Sequence, residues 1–81
     1  MKEYKFNENI KSVICKNVKK YRNEKDVRLM DLAEAIGTSS DYLRRIEAEN
    51  CSDSISIPML HKISVVLGVD VGKFFEDFDE E

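Results

Sequence analysis

The stretch Leu29–Glu47, LMDLAEAIGTSSDYLRRIE, decides the fold. Its first half places Leu29, Leu32, Ala33 and Ile36 on one side of a helix, and Gly37 follows where a glycine ends such a helix. Thr38 and Ser39 then form a short polar break whose hydroxyls can cap a further helix, about Ser40 to Ala48. So tight a connection holds two short helices at a steep angle, the arrangement of a helix-turn-helix. At about 100° per residue, Ser40, Asp41, Arg44, Arg45 and Ala48 occupy one arc of roughly 140°. Tyr42, Leu43, Ile46 and Glu47 fill the opposite side. One face is small, polar and cationic, and the other is largely apolar. A helix that presents Ser40, Arg44 and Arg45 outward, close to its own positive N-terminus, suits a DNA groove.

The flanking sequence has the same helical character. Ile10, Val13, Ile14, Val18 and Tyr21 fall at helical spacing in a segment of about Glu8 to Lys25, with Asn7 placed to cap it. After the polar loop from Glu49 to Ser54, Ser56 can cap a fourth helix that opens Ile57-Pro58, buries Leu60, Ile63, Val66 and Leu67, and stops at Gly68. Asp70 is placed to cap a last short helix carrying Val71, Phe74, Phe75 and Phe78. No segment alternates with strand period. The expectation is all-α: five helices in one domain over residues 1–81, with 1–7 as an N-terminal arm and 77–81 as an acidic tail.

The chain has 81 residues, with 42% hydrophobic and 36% charged, three Gly and one Pro. That suits one compact helical domain rather than a disordered tail or a turn-rich sandwich. The absence of a long apolar run argues for a cytoplasmic protein without a membrane span. The net charge of −3 is unevenly spread. Residues 1–25 carry eight Lys/Arg against three Asp/Glu, whereas residues 57–81 carry two against six. The acidic end reads as a solubilising tail.

The run VKKYRNEKDVRLMDLAEAIGTSSDYLRRIEAEN resembles the helix-turn-helix of the Cro and phage-repressor (XRE) family of transcriptional regulators. ISIPMLHKISVVLGVDVGKFFE is similar to that family's last two helices. Leu32-Ala33, Ile36-Gly37, Tyr42-Leu43 and Arg45-Ile46-Glu47 carry the resemblance, which extends from about Ile10 to Phe78. It implies a lambda-repressor-like domain, in layout similar to restriction-modification controller proteins, with Ser40–Arg45 in the major groove of double-stranded DNA. Ser40, Asp41, Arg44 and Arg45 are then the base-contact candidates, with Arg suited to guanine. Arg28, Thr38, Ser39 and Tyr42 match positions that touch the DNA backbone and so position without reading sequence. Arg22 and Glu47 match a pair that links the first helix to the third.

Asp41 fits such a site awkwardly, because a carboxylate near phosphates is repelled. The favoured reading is an Asp41–Arg45 pair at i,i+4, which would also aim Arg45, or a contact with the dipole at the helix N-terminus. The loop after the recognition helix departs from the family as well: relatives place Gly and cations there, and this chain has Glu49-Asn50-Cys51-Ser52-Asp53-Ser54. Few cations mean few phosphate contacts, so a dimer would matter. Val71, Phe74, Phe75 and Phe78 are candidates for its interface, completion of the core being the alternative for Phe74 and Phe75. Two-fold symmetry would predict a palindromic operator.

Cys15 reads as a packing residue and Cys51 as a loop thiol. Two cysteines so far apart make neither a disulfide framework nor a zinc site. His61 has no companion at metal spacing and reads as a surface residue. No nucleophile–base constellation and no Gly-rich phosphate loop appear, so neither an enzyme nor a cofactor is expected. The expected function is a sequence-specific DNA-binding regulator that acts as a homodimer. The competing reading is a protein-interaction module of antitoxin or anti-repressor type.

Overall fold

In the computed structural model, which describes residues 3–6, 9–48, 51 and 54–77, the first helix α1 spans Ile10–Glu24. Asn9 holds its N-cap position without a side-chain cap, and Asn7, expected there, lies outside the described residues. Beyond α1 the chain reverses at Asp26, which adopts φ 57° and donates its N–H to the Asn23 carbonyl at 3.1 Å. α2 (Leu29–Ile36) ends at Gly37 in the left-handed conformation, φ 76°. α3 (Ser40–Ile46) starts from Ser39, whose hydroxyl oxygen accepts the Tyr42 N–H at 3.1 Å. α4 (Ile57–Leu67) is capped the same way by Ser56 onto the Met59 N–H, has Pro58 in its first turn, and ends at left-handed Gly68.

The last element differs from the expected fifth α-helix. Val71–Phe75 winds as a 3-10 helix, and Asp70 precedes it without a side-chain cap bond. So short a segment cannot sustain an α-helix by itself, and Gly72 within it lowers α propensity further. The described residues thus form four α-helices and one 3-10 helix, with no strand among them.

One core joins these elements. α2 contributes Leu32, Ala33 and Ile36, α3 Leu43 and Ile46, α4 Leu60, Ile63 and Leu67, and α1 Cys15 and Val18. Phe74 closes the core from the 3-10 helix, fully buried and edge-to-face with Tyr21 at 5.5 Å between centroids. Val66, expected to be buried, is 39% exposed. The inward face of α4 follows residues 60, 63, 64 and 67, and position 66 lies roughly 100° away from it. Ser64 takes the inward place instead, its hydroxyl donating to the His61 carbonyl at 2.6 Å. His61 itself is exposed.

Two of the long-range attachments of α1 are made by Asn17 and Cys15. Asn17 is buried, and its Nδ2 donates to the carbonyls of Phe74 and Glu76, both at 2.8 Å. Its Oδ1 has no partner. The second attachment overturns the reading of the cysteines as separate. Cys15 on α1 and Cys51 behind α3 form a disulfide, with Cα atoms 6.5 Å apart. Their separation of 36 residues along the chain is erased by the return of the polypeptide past α1 after α3.

Candidate nucleic-acid interface

α3 has an inside and an outside set by its own sequence. Leu43 and Ile46 are fully buried, and this anchors the helix by the apolar area it removes from water. Asp41, Arg44 and Arg45 consequently face solvent, with Ser40 half-buried at the first turn. The four base-contact candidates therefore share one accessible face, with Ser40 and Asp41 in the first turn and Arg44 and Arg45 in the last. Tyr42 lies half-buried at its edge, and the Arg45 guanidinium sits over the Tyr42 ring, 5.8 Å from its centroid. This stacking restrains a long side chain on an exposed helix.

The expected Asp41–Arg45 pairing is replaced by another. Asp41 accepts a hydrogen bond from Arg44 Nη1 at 2.9 Å, an i,i+3 contact on the outer face. Both spacings bring side chains together on a helix, and the ring of Tyr42 holds Arg45 on the other side. The carboxylate therefore aims Arg44 rather than Arg45.

Arg28 is also already engaged. It occupies the N-cap position of α2, and its Nε and Nη2 donate to the Asp31 carboxylate at 2.8 and 3.3 Å. This pair is exposed, and the carboxylate raises the Arg28 pKa above its ordinary value by hydrogen bonding first and charge second. Asp31 went unnoticed in the sequence, although its i,i+3 spacing from Arg28 is a readable signal. Arg28, Asp31, Thr38 and Ser40 line one shallow groove where α2 and α3 begin. Ser39 Oγ accepts the capping N–H, which leaves its O–H to donate outward.

Behind this face, Arg22 and Glu47 join α1 to the end of α3. Arg22 Nε and Nη2 donate to the Glu47 carboxylate at 2.6 and 2.8 Å, and Nη1 donates to the Val27 carbonyl at 2.7 Å. The side chains are only 13% and 6% exposed. The hydrogen bond to Glu47 raises the Arg22 pKa, aided by charge and opposed by burial. The pair is structural and points away from solvent.

The candidate dimer residues divide. Phe74 is enclosed in the core of its own chain and is unavailable to a partner, whereas Val71 and Phe75 are 44% and 46% exposed. Phe78 lies outside the described residues, as does most of the acidic loop. No helix among the described residues is long and apolar enough to cross a membrane. Among the same residues no group of three or more His, Cys, Asp and Glu side chains could hold a metal ion.

The sequence pattern of the helix-turn-helix family matches residues 18–74. The chain is 40% identical over 68 residues to the HTH-type transcriptional regulator SinR of Bacillus licheniformis, covering 84% of this chain and 60% of that protein. It thus spans about 60% of the length of the curated relatives it matches. Among solved structures, the N-terminal DNA-binding domain of SinR from Bacillus subtilis superposes with a TM-score of 0.72 at 38% identity, over 85% of this chain and 99% of that one. SinR in complex with DNA gives 0.69 at 40% identity, over 78% and 98%. A SinR–SinI protein complex gives 0.69 at 39% identity, over 79% and 61%. With α2 and α3 packed as described and the family pattern spanning most of the sequence, the chain belongs to the helix-turn-helix family of Cro and phage-repressor type.

Proposed function

We propose that this chain is a sequence-specific DNA-binding transcriptional regulator that places α3 in the major groove. The observation that carries the reading is the division of α3: Leu43 and Ile46 locked into the core, with Asp41, Arg44 and Arg45 displayed together opposite them. Arg44 and Arg45 read bases, Ser40 and Asp41 contribute at the helix start, and Arg28, Thr38, Ser39 and Tyr42 grip the backbone. The likeness to a SinR domain solved with DNA supports this assignment. The protein works in the cytoplasm as a binder, without catalysis or cofactor.

Two copies bind a palindromic operator. Val71 and Phe75, with the exposed Tyr4 and Phe6 of the N-terminal arm, offer the apolar surface for pairing. Selection from random duplex DNA tests the reading: a two-fold symmetric site should be enriched and lost on Arg44→Ala with Arg45→Ala. Absence of enrichment from folded protein would overturn it.

A second reading, a protein-interaction module, draws on the pairing of Arg28 with Asp31 and of Arg44 with Asp41, which offsets cations that DNA would use. The likeness to SinR bound to another protein, SinI, is consistent with it.

A further inference from the structure

The Cys15–Cys51 bridge joins two elements of unequal exposure. Cys15 is 2% exposed within α1, while Cys51 is half-buried against the same core. Solvent therefore reaches the bridge from the Cys51 side. Cys51 is also continuous with the recognition helix. Its N–H donates to the Ala48 carbonyl at 3.1 Å, and the Ala48 N–H donates to the Arg45 carbonyl at 3.3 Å. A chain of hydrogen bonds thus runs from the bridge into the last turn of α3, the turn that carries Arg44 and Arg45.

We propose that Cys15 and Cys51 form a reversible thiol–disulfide site that controls how firmly the end of α3 is held against α1. Its effect on DNA rests on the function proposed above; the redox chemistry does not. In the bridged form the backbone behind α3 is covalently fixed to α1. In the dithiol form the Arg22–Glu47 pair carries that attachment by polar contact. The last turn of α3 then frays more readily, and the arginines lose part of their fixed placement.

The reducing partner is a dithiol of the thioredoxin class. Its thiolate attacks Cys51 Sγ, the S–S bond breaks, and Cys15 leaves with the electron pair and takes up a proton. The reductant's second thiol, once deprotonated, attacks the mixed disulfide and releases Cys51, which is protonated in turn. The protein gains two electrons and two protons, and the reductant ends as a disulfide. Oxidised glutathione drives the reverse reaction and leaves as two glutathione thiols for each bridge formed.

The whole chain is equilibrated in buffers of graded reduced-to-oxidised glutathione ratio, precipitated in acid to stop exchange, redissolved in denaturant at mildly alkaline pH with excess iodoacetamide, and the added mass is read. At the oxidising end neither cysteine should be labelled; at the reducing end both should be. Melting temperature should fall by about 10–20 °C on reduction, as expected for opening a long cross-linked loop in a small domain. Cys51→Ser and Cys15→Ala should melt alike in every buffer. Affinity for the selected duplex should be at least about threefold weaker in the reduced form, and Cys51→Ser should show no redox dependence. Full labelling at every ratio overturns the site. A bridge that forms without changing DNA affinity overturns the control and leaves only a staple. A redox-dependent bridge in protein that selects no DNA supports the thiol chemistry and removes the DNA-binding reading instead.

Discussion

Arg22 and Glu47 meet through two parallel hydrogen bonds, 2.6 and 2.8 Å, across the junction of α1 with the end of α3. The guanidinium fork also reaches the Val27 carbonyl, so a single side chain fixes α1, the turn before α2 and the end of α3. Removing one member leaves a nearly buried charge without its partner. Arg22→Ala or Glu47→Ala should each lower stability by about 2–4 kcal/mol in urea unfolding. The double variant should cost less than the sum, because it leaves no orphaned charge; strict additivity would refute the coupling. With the Arg22 pKa raised above an already high ordinary value, its contribution is fully present below that value and is lost only as pH rises through the folded-state pKa. The guanidinium should therefore stay charged throughout the neutral range.

Backbone conformation gives a pair of predictions of opposite sign. Gly37 has φ 76°, and a Cβ there would meet nothing within 4 Å. Gly37→Ala should consequently cost only the torsional penalty of the left-handed region, about 1–2 kcal/mol. Asp26, at φ 57°, already bears that penalty. Asp26→Gly should stabilise the domain by about 0.5–1 kcal/mol. Thermal unfolding of the two variants checks both signs, and a stabilising Gly37→Ala would contradict the left-handed cap.

Much of this architecture was legible in the sequence because it is local. Gly37 and Gly68 mark helix ends, Ser39 and Ser56 mark helix starts, and the spacing of Leu32, Ile36, Leu43 and Ile46 fixes which faces turn inward. Local rules could not supply partners chosen in three dimensions. The Cys15–Cys51 bond and the reach of Asn17 to Phe74 and Glu76 exist only once the chain has folded back on α1. Phe74 took the core place, edge-to-face with Tyr21, that the sequence offered beside an interface role, and helical spacing alone does not choose between the two. At the candidate site, the outward set on α3 was readable from periodicity. Which arginine Asp41 would hold was not, since i,i+3 and i,i+4 spacings compete.

Asn17 carries a different kind of prediction. Its amide nitrogen satisfies two carbonyls at the end of the 3-10 helix, while its own Oδ1 remains unpaired in the interior. Asn17→Ala removes that orphan oxygen but strands both carbonyls, and the loss should prevail at about 1–3 kcal/mol. Amide exchange should quicken selectively in residues 71–77. Uniform acceleration across the domain would mean that Asn17 serves the core generally rather than this segment.

Asp41 offers the sharpest test of the proposed interface. Its side chain is 85% exposed and pairs with an Arg44 that is itself 62% exposed, so the bond adds little to folding. On the surface expected to approach phosphate, the same carboxylate repels DNA of any sequence while holding Arg44 in one orientation. Asp41→Asn removes the repulsion and loosens the aim together. Stability should change by less than about 0.5 kcal/mol. Affinity for scrambled duplex should rise severalfold, and the preference for the selected site should shrink. Fluorescence anisotropy with both duplexes at two salt concentrations reads the two effects separately, since a lost negative charge steepens the salt dependence. Equal weakening on both duplexes would instead make Asp41 a direct DNA contact whose own hydrogen bonds matter more than its charge.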